Sequence, residues 1–581
     1  MISLIKRCVR QYKKASILSP IYVALECVFD ILIPFIMTFL LEEGVNKKDS
    51  NAIICYGLIL AALALVALLF GALSGVQCAK AANGFATNIR KDMFEHIQTF
   101  SFSNIDKFSH ASLVTRLTTD VNSVQMAYMM IIRIAIRAPL MLIFGVTMTV
   151  YAGGALAGIF ALVIPILVAG LLLIFKFAHP LFKTLFKKYD RMNTVVEENI
   201  RGMRVVKSTV REDAEIKKFN QASNDIYKTF SKAERIVAFA SPLMQLAMYL
   251  SITLISWFGA NLVISSNGQA LNQSQLTMII TYSSQILMSL MMLSMIYINV
   301  TMSKASIDRI NEVLNETPEI KNPENPVYKA VNGQIDFENV SFSYKGEGGV
   351  YCLKDVNLHV KSGQTVGIIG ATGSSKTTLV QLLPRLYDAT VGTVKIGGVD
   401  VKDYDLDTLR SAVAMVLQKN VLFSGTIRDN MKWGKPDATD EEINNALKLA
   451  CAYDFVQGLG GLDTHIEQGG SNVSGGQKQR LCIARALIAN PKIIVLDDST
   501  SAVDMNTDLL IRKAFKEYIP ETTKLIIAQR VVSVMDADLI IVMDNGEVVA
   551  QGTHTELMDT CEIYREVYET QQSGGDFDGE N

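Results

Sequence analysis

Charged residues are scarce in this 581-residue sequence. They make up only 19% of it, against about 25% in a typical soluble protein, and the mean hydropathy is +0.25. This composition argues against a wholly soluble chain. With 55 basic and 57 acidic residues the net charge is −2, which gives no electrostatic reason to expect nucleic acid as a partner. The eight cysteines form no CxxC pair or dense cluster, so we expect neither a zinc site nor disulfides.

Long apolar runs are absent after residue 305, but six lie before it. Each has about 20 residues or more, the length that a helix needs to cross the hydrocarbon core of a bilayer. They predict an all-α transmembrane domain over residues 1–305, with spans at approximately 16–41, 52–79, 127–152, 155–178, 237–265 and 275–301. The first run is too long for a signal peptide and has no small-residue cleavage site, so we expect it to remain as a span.

Basic residues are distributed unequally among the segments that flank these runs. The N-terminal segment carries five Lys and Arg and no acid, and the segments 80–126 and 179–236 are long and basic. Because basic flanks stay in the cytoplasm, we expect the N-terminus and the second half of the chain on the cytoplasmic side. The two long segments also have helical periodicity, which predicts short crossing helices at 101–110 and 204–214 that contact another domain.

Two pairs of charged residues within the predicted spans leave two interpretations open. Glu26 and Asp30 are four residues apart in the first span, as are Arg133 and Arg137 in the third. The acids either belong to a cavity that prefers cationic cargo or form a structural pair between helices near the bilayer edge. Methionines in the sixth span likewise either line an adaptable apolar surface or simply pack: Met278, Met288, Met291, Met292 and Met295.

The second half of the sequence has a different pattern. Residues 306–334 form a polar linker that contains NPENPV (322–327), and after it short β-branched segments alternate with helical ones. This alternation predicts an α/β domain over residues 335–570. The remaining residues, 571–581, end in GGDFDGEN and are expected to be disordered.

A phosphate-binding loop is predicted where the apolar segment TVGIIG meets a helical one. The loop presents backbone N–H groups and a helix N-terminus to phosphate, and it comprises Gly370, Ala371, Thr372, Gly373, Ser374, Ser375, Lys376, Thr377 and Thr378. Lys376 would supply charge for the β- and γ-phosphates, and the Thr377 hydroxyl would reach Mg²⁺. Ser375 replaces the second glycine of GxxxxGK[ST], which costs about 1 kcal/mol if that residue needs a positive φ and little if it is helical.

Two further segments complete the expected nucleotide chemistry. The apolar segment IIVLDD ends in two acids, of which Asp497 would hold Mg²⁺ through water and Asp498 would orient the attacking water. About twenty residues upstream, Ser474, Gly475, Gly476 and Gln477 begin a predicted helix. Because the phosphate loop already has its own helix N-terminus, this second one is free to serve another nucleotide.

These segments resemble the ABC transporter family over nearly the whole chain. VSGGQ (473–477) is similar to the highly specific signature motif of that family. The resemblance implies three further roles: adenine stacking for Tyr344, the Q-loop and a Mg²⁺ contact for Gln418, and the D-loop for SAVD (501–504) with Asp504. It also implies an exporter half-transporter that uses ATP and Mg²⁺ and works as a dimer. Two ATP molecules would lie between the phosphate loop of one subunit and the signature of the other.

Two residues depart from the family pattern. Efficient members carry Glu after the Walker B aspartate, and Asp498 is one methylene shorter, so its carboxylate falls about 1.5 Å short. A displacement of that size can cost roughly 100-fold in rate. The family also carries His in the switch loop, where this sequence has Gln529, and none of its six His residues lies there. Gln donates a hydrogen bond but cannot become cationic.

Together the departures predict a degenerate site that binds ATP and hydrolyses it slowly. The resemblance then implies one subunit of a heterodimeric, multidrug-type exporter of amphipathic compounds, such as a drug, lipid or peptide. Its partner half-transporter would supply an intact catalytic Glu and switch His, and the membrane would be a bacterial plasma membrane. Two other interpretations stay open: a homodimeric exporter with two slow sites, and a regulatory or channel-like ABC protein gated by ATP binding.

Overall fold

The computed structural model describes residues 2–346, 348–499 and 503–575, which divide into two units. The first unit runs to Gln98 and resumes over His110–Glu316. The second contains Thr99–Ser109 and the residues from Thr317 onward. A short piece of the N-terminal half therefore groups with the C-terminal unit.

Helices make up the N-terminal half. They are α1 (Ile2–Cys8), α2 (Lys13–Phe39), α3 (Ser50–Gln98), α4 (Phe102–Phe108), α5 (His110–Thr115), α6 (Val121–Gly153), α7 (Gly158–Arg201), α8 (Met203–Ser208), α9 (Glu212–Ala238), α10 (Ala240–Ser265) and α11 (Gln273–Asn315). Helices α4 and α8 form at the two places where short crossing helices are expected. Of the two, α4 belongs to the second unit and α8 to the first.

Five helical segments in the described residues are long and apolar enough to cross a membrane: Arg10–Asn46, Ser50–Gln98, Ser112–Phe182, Glu212–Ser265 and Gln273–Asn315. The protein is therefore a multi-pass membrane protein, but the expected count of six spans is not confirmed. The expected third and fourth spans both fall within Ser112–Phe182, which has 71 residues. Within it, α6 and α7 are separated by a single 3₁₀ turn, Gly154–Ala157.

Close packing joins α6 to α11. A methyl group added at Gly145 would lie 2.8 Å from Ile286, and one added at Gly153 would lie 2.5 Å from Ile279. Helices in lipid associate through such small residues, because they let the backbones approach. The fully buried Tyr282 connects α11 to α2, since its hydroxyl donates a 2.6 Å hydrogen bond to the Ile31 carbonyl.

The charged residues of the spans form an ion network between α2 and α6. The Arg137 guanidinium pairs with Glu26 and, at 2.8 Å, with Asp30. Arg133 points instead toward α3, where a methyl group added at Gly75 would lie 3.7 Å from its Nη1. A structural pair between helices therefore exists.

Asp30 and Arg137 also border a cavity of about 390 Å³ in this unit. Of the five methionines singled out in α11, Met288 and Met292 line the cavity, whereas Met278 is buried. Gln285 lines it as well, and its Oε1 is buried without a hydrogen-bond partner. The ion network thus forms part of a cavity wall.

Strands and short helices alternate in the second unit, as the sequence predicts. The strands are β1 (Ile335–Phe342), β2 (Leu353–Val360), β3 (Thr365–Gly370), β4 (Val391–Ile396), β5 (Val399–Asp400), β6 (Val413–Val416), β7 (Gly425–Thr426), β8 (His465–Ile466), β9 (Ile493–Asp497), β10 (Thr523–Ile527), β11 (Leu539–Asp544) and β12 (Glu547–Gly552). The helices are α12 (Lys376–Gln381), α13 (Leu406–Ala412), α14 (Ile427–Lys432), α15 (Asp440–Leu449), α16 (Tyr453–Gly458), α17 (Gly475–Leu487), α18 (Met505–Tyr518), α19 (His554–Thr560) and α20 (Glu562–Gly575).

Two main sheets organise this unit. One has the order β12-β11-β3-β10-β9-β6, with parallel pairing from β11 to β6, and the other is an antiparallel sheet in the order β2-β1-β4-β5. Strands β9 and β10 are buried throughout, which agrees with their continuous apolar sequences. Because β3, β10 and β9 are adjacent and parallel, the segments that follow them emerge at one edge of the sheet.

Two boundaries differ from those expected. Helix α11 continues to Asn315, ten residues into the expected linker, because Ile307, Ile310 and Val313 are buried on one side of it. At the C-terminus α20 reaches Gly575, five residues into the segment expected to be disordered, while residues 576–581 lie outside the described part of the chain.

Replacing Arg137 with methionine should destabilise the first unit, because two carboxylates would lose their shared cation. We expect a loss of about 2 kcal/mol, below the usual figure for a buried pair because the Arg137 side chain is 29% exposed. Thermal unfolding of the purified protein measures it. Arg133→Met is the matched control, since the described residues show no ion pair between Arg133 and either acid. The triple variant Glu26→Gln, Asp30→Asn, Arg137→Met should recover most of the loss, and equal melting temperatures for R137M and R133M would contradict the assignment.

Candidate nucleotide-binding site

The phosphate loop connects β3 to α12 and is closed by its lysine. Lys376 Nζ donates to the carbonyls of Gly370 and Ala371, both at 2.8 Å, and to Ser374 Oγ at 3.2 Å. Burial lowers the pKa of Lys376, and the charges of Asp497 and Asp498 act against that shift. An ammonium group held over the loop by carbonyl oxygens is available to an incoming phosphate.

Ser375 takes the unfavourable backbone conformation that the sequence left open. Its φ is +68° and its ψ is 23°, which is the left-handed region, and it is the N-cap of α12. A side chain in that region costs about 1 kcal/mol relative to glycine. The loop keeps its shape with a serine here, but at the expense of stability.

Asp497 is placed to hold a magnesium ion together with the loop. It ends β9, is 2% exposed, and accepts a 3.0 Å hydrogen bond from Thr377 Oγ1. Burial raises its pKa and Asp498 adds to this, whereas the Thr377 hydrogen bond and Lys376 lower it. A hydroxyl and a carboxylate at this distance are the hard oxygen donors that Mg²⁺ prefers, so the residues present fit that ion.

The two residues that depart from the family pattern contact each other. Asp498 follows β9 and Gln529 follows β10 by two residues, and Gln529 Nε2 donates to Asp498 Oδ2 at 2.8 Å. Gln418 Nε2 lies 3.4 Å from the same oxygen. Two predicted site residues, Gln529 and Gln418, thus converge on the carboxylate of a third. Its backbone is fixed by a 3.0 Å hydrogen bond from the Asp498 N–H to the carbonyl of Ile527.

Tyr344 lies next to the phosphate loop with part of its ring open. Its hydroxyl lies 3.0 Å from Thr378 Oγ1 and donates to Gln381 Oε1 at 3.3 Å. The ring packs edge-on against Phe342 and Tyr387, with centroids 4.9 and 5.2 Å away, and the residue remains 48% exposed. An aromatic ring anchored in this way can stack on a base, which is the role expected for it.

Tyr387 is a residue that the sequence did not single out. Its hydroxyl donates to Asp106 Oδ2 at 2.8 Å, and its ring lies 6.1 Å from Phe102. Burial and the Asp106 charge raise its pKa. Helix α4 therefore contacts the aromatic group that contains Tyr344. The two partners are 281 positions apart, so no local pattern could have predicted the pair.

The signature residues begin α17, as expected. Ser474 is its N-cap, Gly475 and Gly476 form its first turn, and the Gln477 N–H donates to Ser474 Oγ at 3.3 Å. The Gln477 side chain in turn accepts from the Ser474 N–H at 3.0 Å. This reciprocal capping box stabilises an exposed helix N-terminus, where anions bind well.

Asp504 has a comparable role at α18. Its carboxylate accepts hydrogen bonds from the Thr507 N–H at 2.9 Å and from Thr507 Oγ1 at 2.8 Å, and these bonds lower its pKa. Of the expected D-loop, Ser501 and Ala502 lie outside the described residues. The contribution of that loop to a nucleotide site stays a prediction.

Comparison with known proteins agrees with this geometry. Residues 16–290 match the family described as the ABC transporter transmembrane region, and residues 353–501 match the family described as ABC transporter. An ABC transporter ATP-binding protein of Bacillus subtilis (strain 168), YfiB, is 36% identical over 547 residues, 94% of each chain. Another, Rv1273c of Mycobacterium tuberculosis (strain ATCC 25618 / H37Rv), is 33% identical over 571 residues, 97% of each chain.

A solved structure is similar over nearly the same length. The structure of a bacterial Atm1-family ABC exporter with ATP bound matches 96% of this chain and 98% of its own, with a TM-score of 0.82 and 23% identity. At that identity the likeness shows the fold.

Replacing Ser375 with glycine should stabilise the nucleotide-binding unit by about 0.5–1 kcal/mol, because glycine accepts the positive φ without strain. The measurement is the melting temperature of the full chain without nucleotide, followed by ATP affinity, which should be kept or improved. Ser375→Ala retains a Cβ at the strained position and should bring no gain. A Ser375→Gly variant less stable than the unmodified chain would show that the serine side chain makes a compensating contact.

Proposed function

This chain belongs to the ABC transporter family, with a transmembrane region and an ATP-binding domain in one polypeptide, and from that we propose that it is the degenerate-site subunit of a heterodimeric exporter. Its own site binds ATP and hydrolyses it slowly. Its signature completes the catalytic site of a partner half-transporter. The observation that carries the proposal is the hydrogen bond between Gln529 and Asp498.

Slow hydrolysis follows from what that contact contains. A short carboxylate stands where the attacking water would have to be oriented, and its neighbour in the switch loop is a neutral amide. An amide donates to Asp498 but adds no positive charge to a transferring phosphoryl group. The remaining residues support nucleotide binding. Lys376 bonds to the phosphate loop and Thr377 bonds to Asp497, which fits a phosphate and Mg²⁺ site. The combination favours retention of ATP over its turnover.

We infer six spans, because the third apolar segment, Ser112–Phe182, is long enough for two crossings. At 1.5 Å per residue its 71 residues would extend about 107 Å as one helix, several times the roughly 30 Å of a bilayer core. Gly154, with a φ of +48°, interrupts the helix between α6 and α7 and supports a turn between two crossings. With the basic N-terminus in the cytoplasm, six crossings place the nucleotide-binding unit on the cytoplasmic side of a bacterial plasma membrane.

We infer that the two crossing helices, α4 and α8, link nucleotide binding to movement of the spans. Helix α4 reaches Tyr387 beside Tyr344, so adenine binding and the position of α4 are linked in one chain. Helix α8 has no buried residue, and Val205 in it is 64% exposed. We place its contact on the partner subunit. Nucleotide-driven closure of the dimer would then move the spans between inward- and outward-facing states.

The cavity in the membrane unit supports an amphipathic cargo. It is bordered by the thioethers of Met288 and Met292 and by the polar groups of Asp30, Arg137 and Gln285. Methionine side chains adapt to apolar ligands of different shape, and the charged end would take a polar head group.

ATP hydrolysis by this chain should be slow on its own and fast in a heterodimer. The full-length chain, purified alone and then co-expressed with a second half-transporter that carries the catalytic Glu and the switch His, should show activity mainly with that neighbour. That activity should vanish when the neighbour's catalytic Glu is replaced, and Asp498→Ala should only modulate it. In the lone chain, Asp498→Glu combined with Gln529→His should raise turnover by at least tenfold, because it restores the longer carboxylate and a group that can be cationic.

Lys376→Ala, which removes the phosphate-loop charge, is the control that separates nucleotide-dependent turnover from contamination. Brisk turnover by the unmodified lone chain would favour a homodimer with competent sites. ATP-dependent ion flux without transport-linked turnover would favour the channel-like alternative.

A further inference from the structure

Helix α20 is fixed against the nucleotide-binding unit by one side. Tyr564 is fully buried, and its hydroxyl lies 2.8 Å from His554 Nδ1 of α19. Arg565 donates to the Met558 carbonyl at 2.8 Å. Val567 and Tyr568 pack against the same core, and Gln571 follows Tyr564 by seven residues. This spacing places Gln571 on the same side of α20 as the buried Tyr564.

The side-chain amide of Gln571 binds the switch loop at two points. Its Nε2 donates to the Gln529 carbonyl at 2.8 Å, and its Oε1 accepts from the Val531 N–H at 2.8 Å. These two bonds enclose Arg530 and use one donor and one acceptor of the same planar group. The amide therefore binds the backbone at the switch residue Gln529 and again two residues after it.

Through Gln529 the contact reaches the nucleotide site. The Gln529 side chain donates to Asp498, whose carboxylate also lies beside Gln418. Gln571 is thus connected to Asp498 through Gln529, by one hydrogen bond to the Gln529 backbone carbonyl and another from the Gln529 side-chain amide. Because the carbonyl and the amide belong to one residue, a shift of the Gln529 backbone would move the amide that contacts Asp498.

We propose that Gln571 is a positioning residue, which holds the switch loop so that the Gln529 amide stays where a γ-phosphate would be met. It thereby sets the preference of this site for ATP over ADP. This inference rests on the proposed function, since it requires nucleotide at the phosphate loop of this chain. Gln571 does not itself touch the nucleotide. Only ATP carries the γ-phosphate, so the effect should be confined to ATP.

The test is the affinity of the purified full-length chain for ATP and for ADP, each with Mg²⁺, measured by equilibrium binding. Gln571→Ala should weaken ATP binding three- to tenfold and leave ADP binding unchanged, because a net hydrogen bond or two is lost from the switch loop. Gln571→Glu, which keeps the acceptor for Val531 but not the donor for Gln529, should have an intermediate effect. The matched control is Gln572→Ala, since Gln572 pairs only with Tyr568 of its own helix in the described structure.

A double-mutant cycle separates positioning from general stability. If Gln571 acts through Gln529, then Gln571→Ala should add no further loss of ATP affinity in a Gln529→Ala background. Additive losses, or equal weakening of ATP and ADP, would overturn the proposal and reduce Gln571 to a structural contact. Failure of the unmodified chain to bind either nucleotide would instead refute the proposed function on which the inference rests.

Discussion

The hydrogen bond from Gln529 to Asp498 joins the ends of two neighbouring strands and determines what the nucleotide site can do. Its carboxylate accepts hydrogen bonds from Gln529 and Gln418 but is too short for the position of a catalytic Glu. Its amide donates without bringing charge. The residues that would hold magnesium and phosphate, Thr377, Asp497 and Lys376, are positioned by other hydrogen bonds, so binding and catalysis use different side chains at this site. That separation is the physical basis of the proposed function, in which this subunit would hold ATP while its partner turns it over.

The fold supplies the geometry because the central strands are parallel, adjacent and buried. Strands β3, β10 and β9 end at one edge, which brings together the phosphate loop, the switch loop and the Walker B acids although they are widely separated in sequence. The observed register places Asp497 opposite Ile527, and a shift of one residue would move the acids relative to the phosphate loop. In the membrane unit the main constraint is the cost of burying charge. Arg137 pairs with both Glu26 and Asp30, where an unpaired charge is costly.

Most of the site residues and much of the fold could be predicted from local sequence. The phosphate loop, the capped signature helix and the Walker B acids were predictable because each depends on neighbouring residues and known backbone chemistry. The conformation of Ser375 was not, since a tripeptide of Ser, Ser and Lys permits either a helical or a left-handed backbone. Tyr387 and Gln571 were missed because each makes its decisive contact with a distant residue. The end of α11 was missed because a polar sequence concealed a buried stripe of Ile307, Ile310 and Val313.

The proposed function requires that this chain retain intact ATP. The most direct measurement uses the assembled transporter and a photoreactive adenine analogue of ATP, labelled on either the α- or the γ-phosphate, with the two subunits separated after cross-linking. During turnover, this subunit should keep both labels in equal amount while its partner keeps the α label and loses the γ label. Loss of the γ label from both subunits at the same rate would contradict the account.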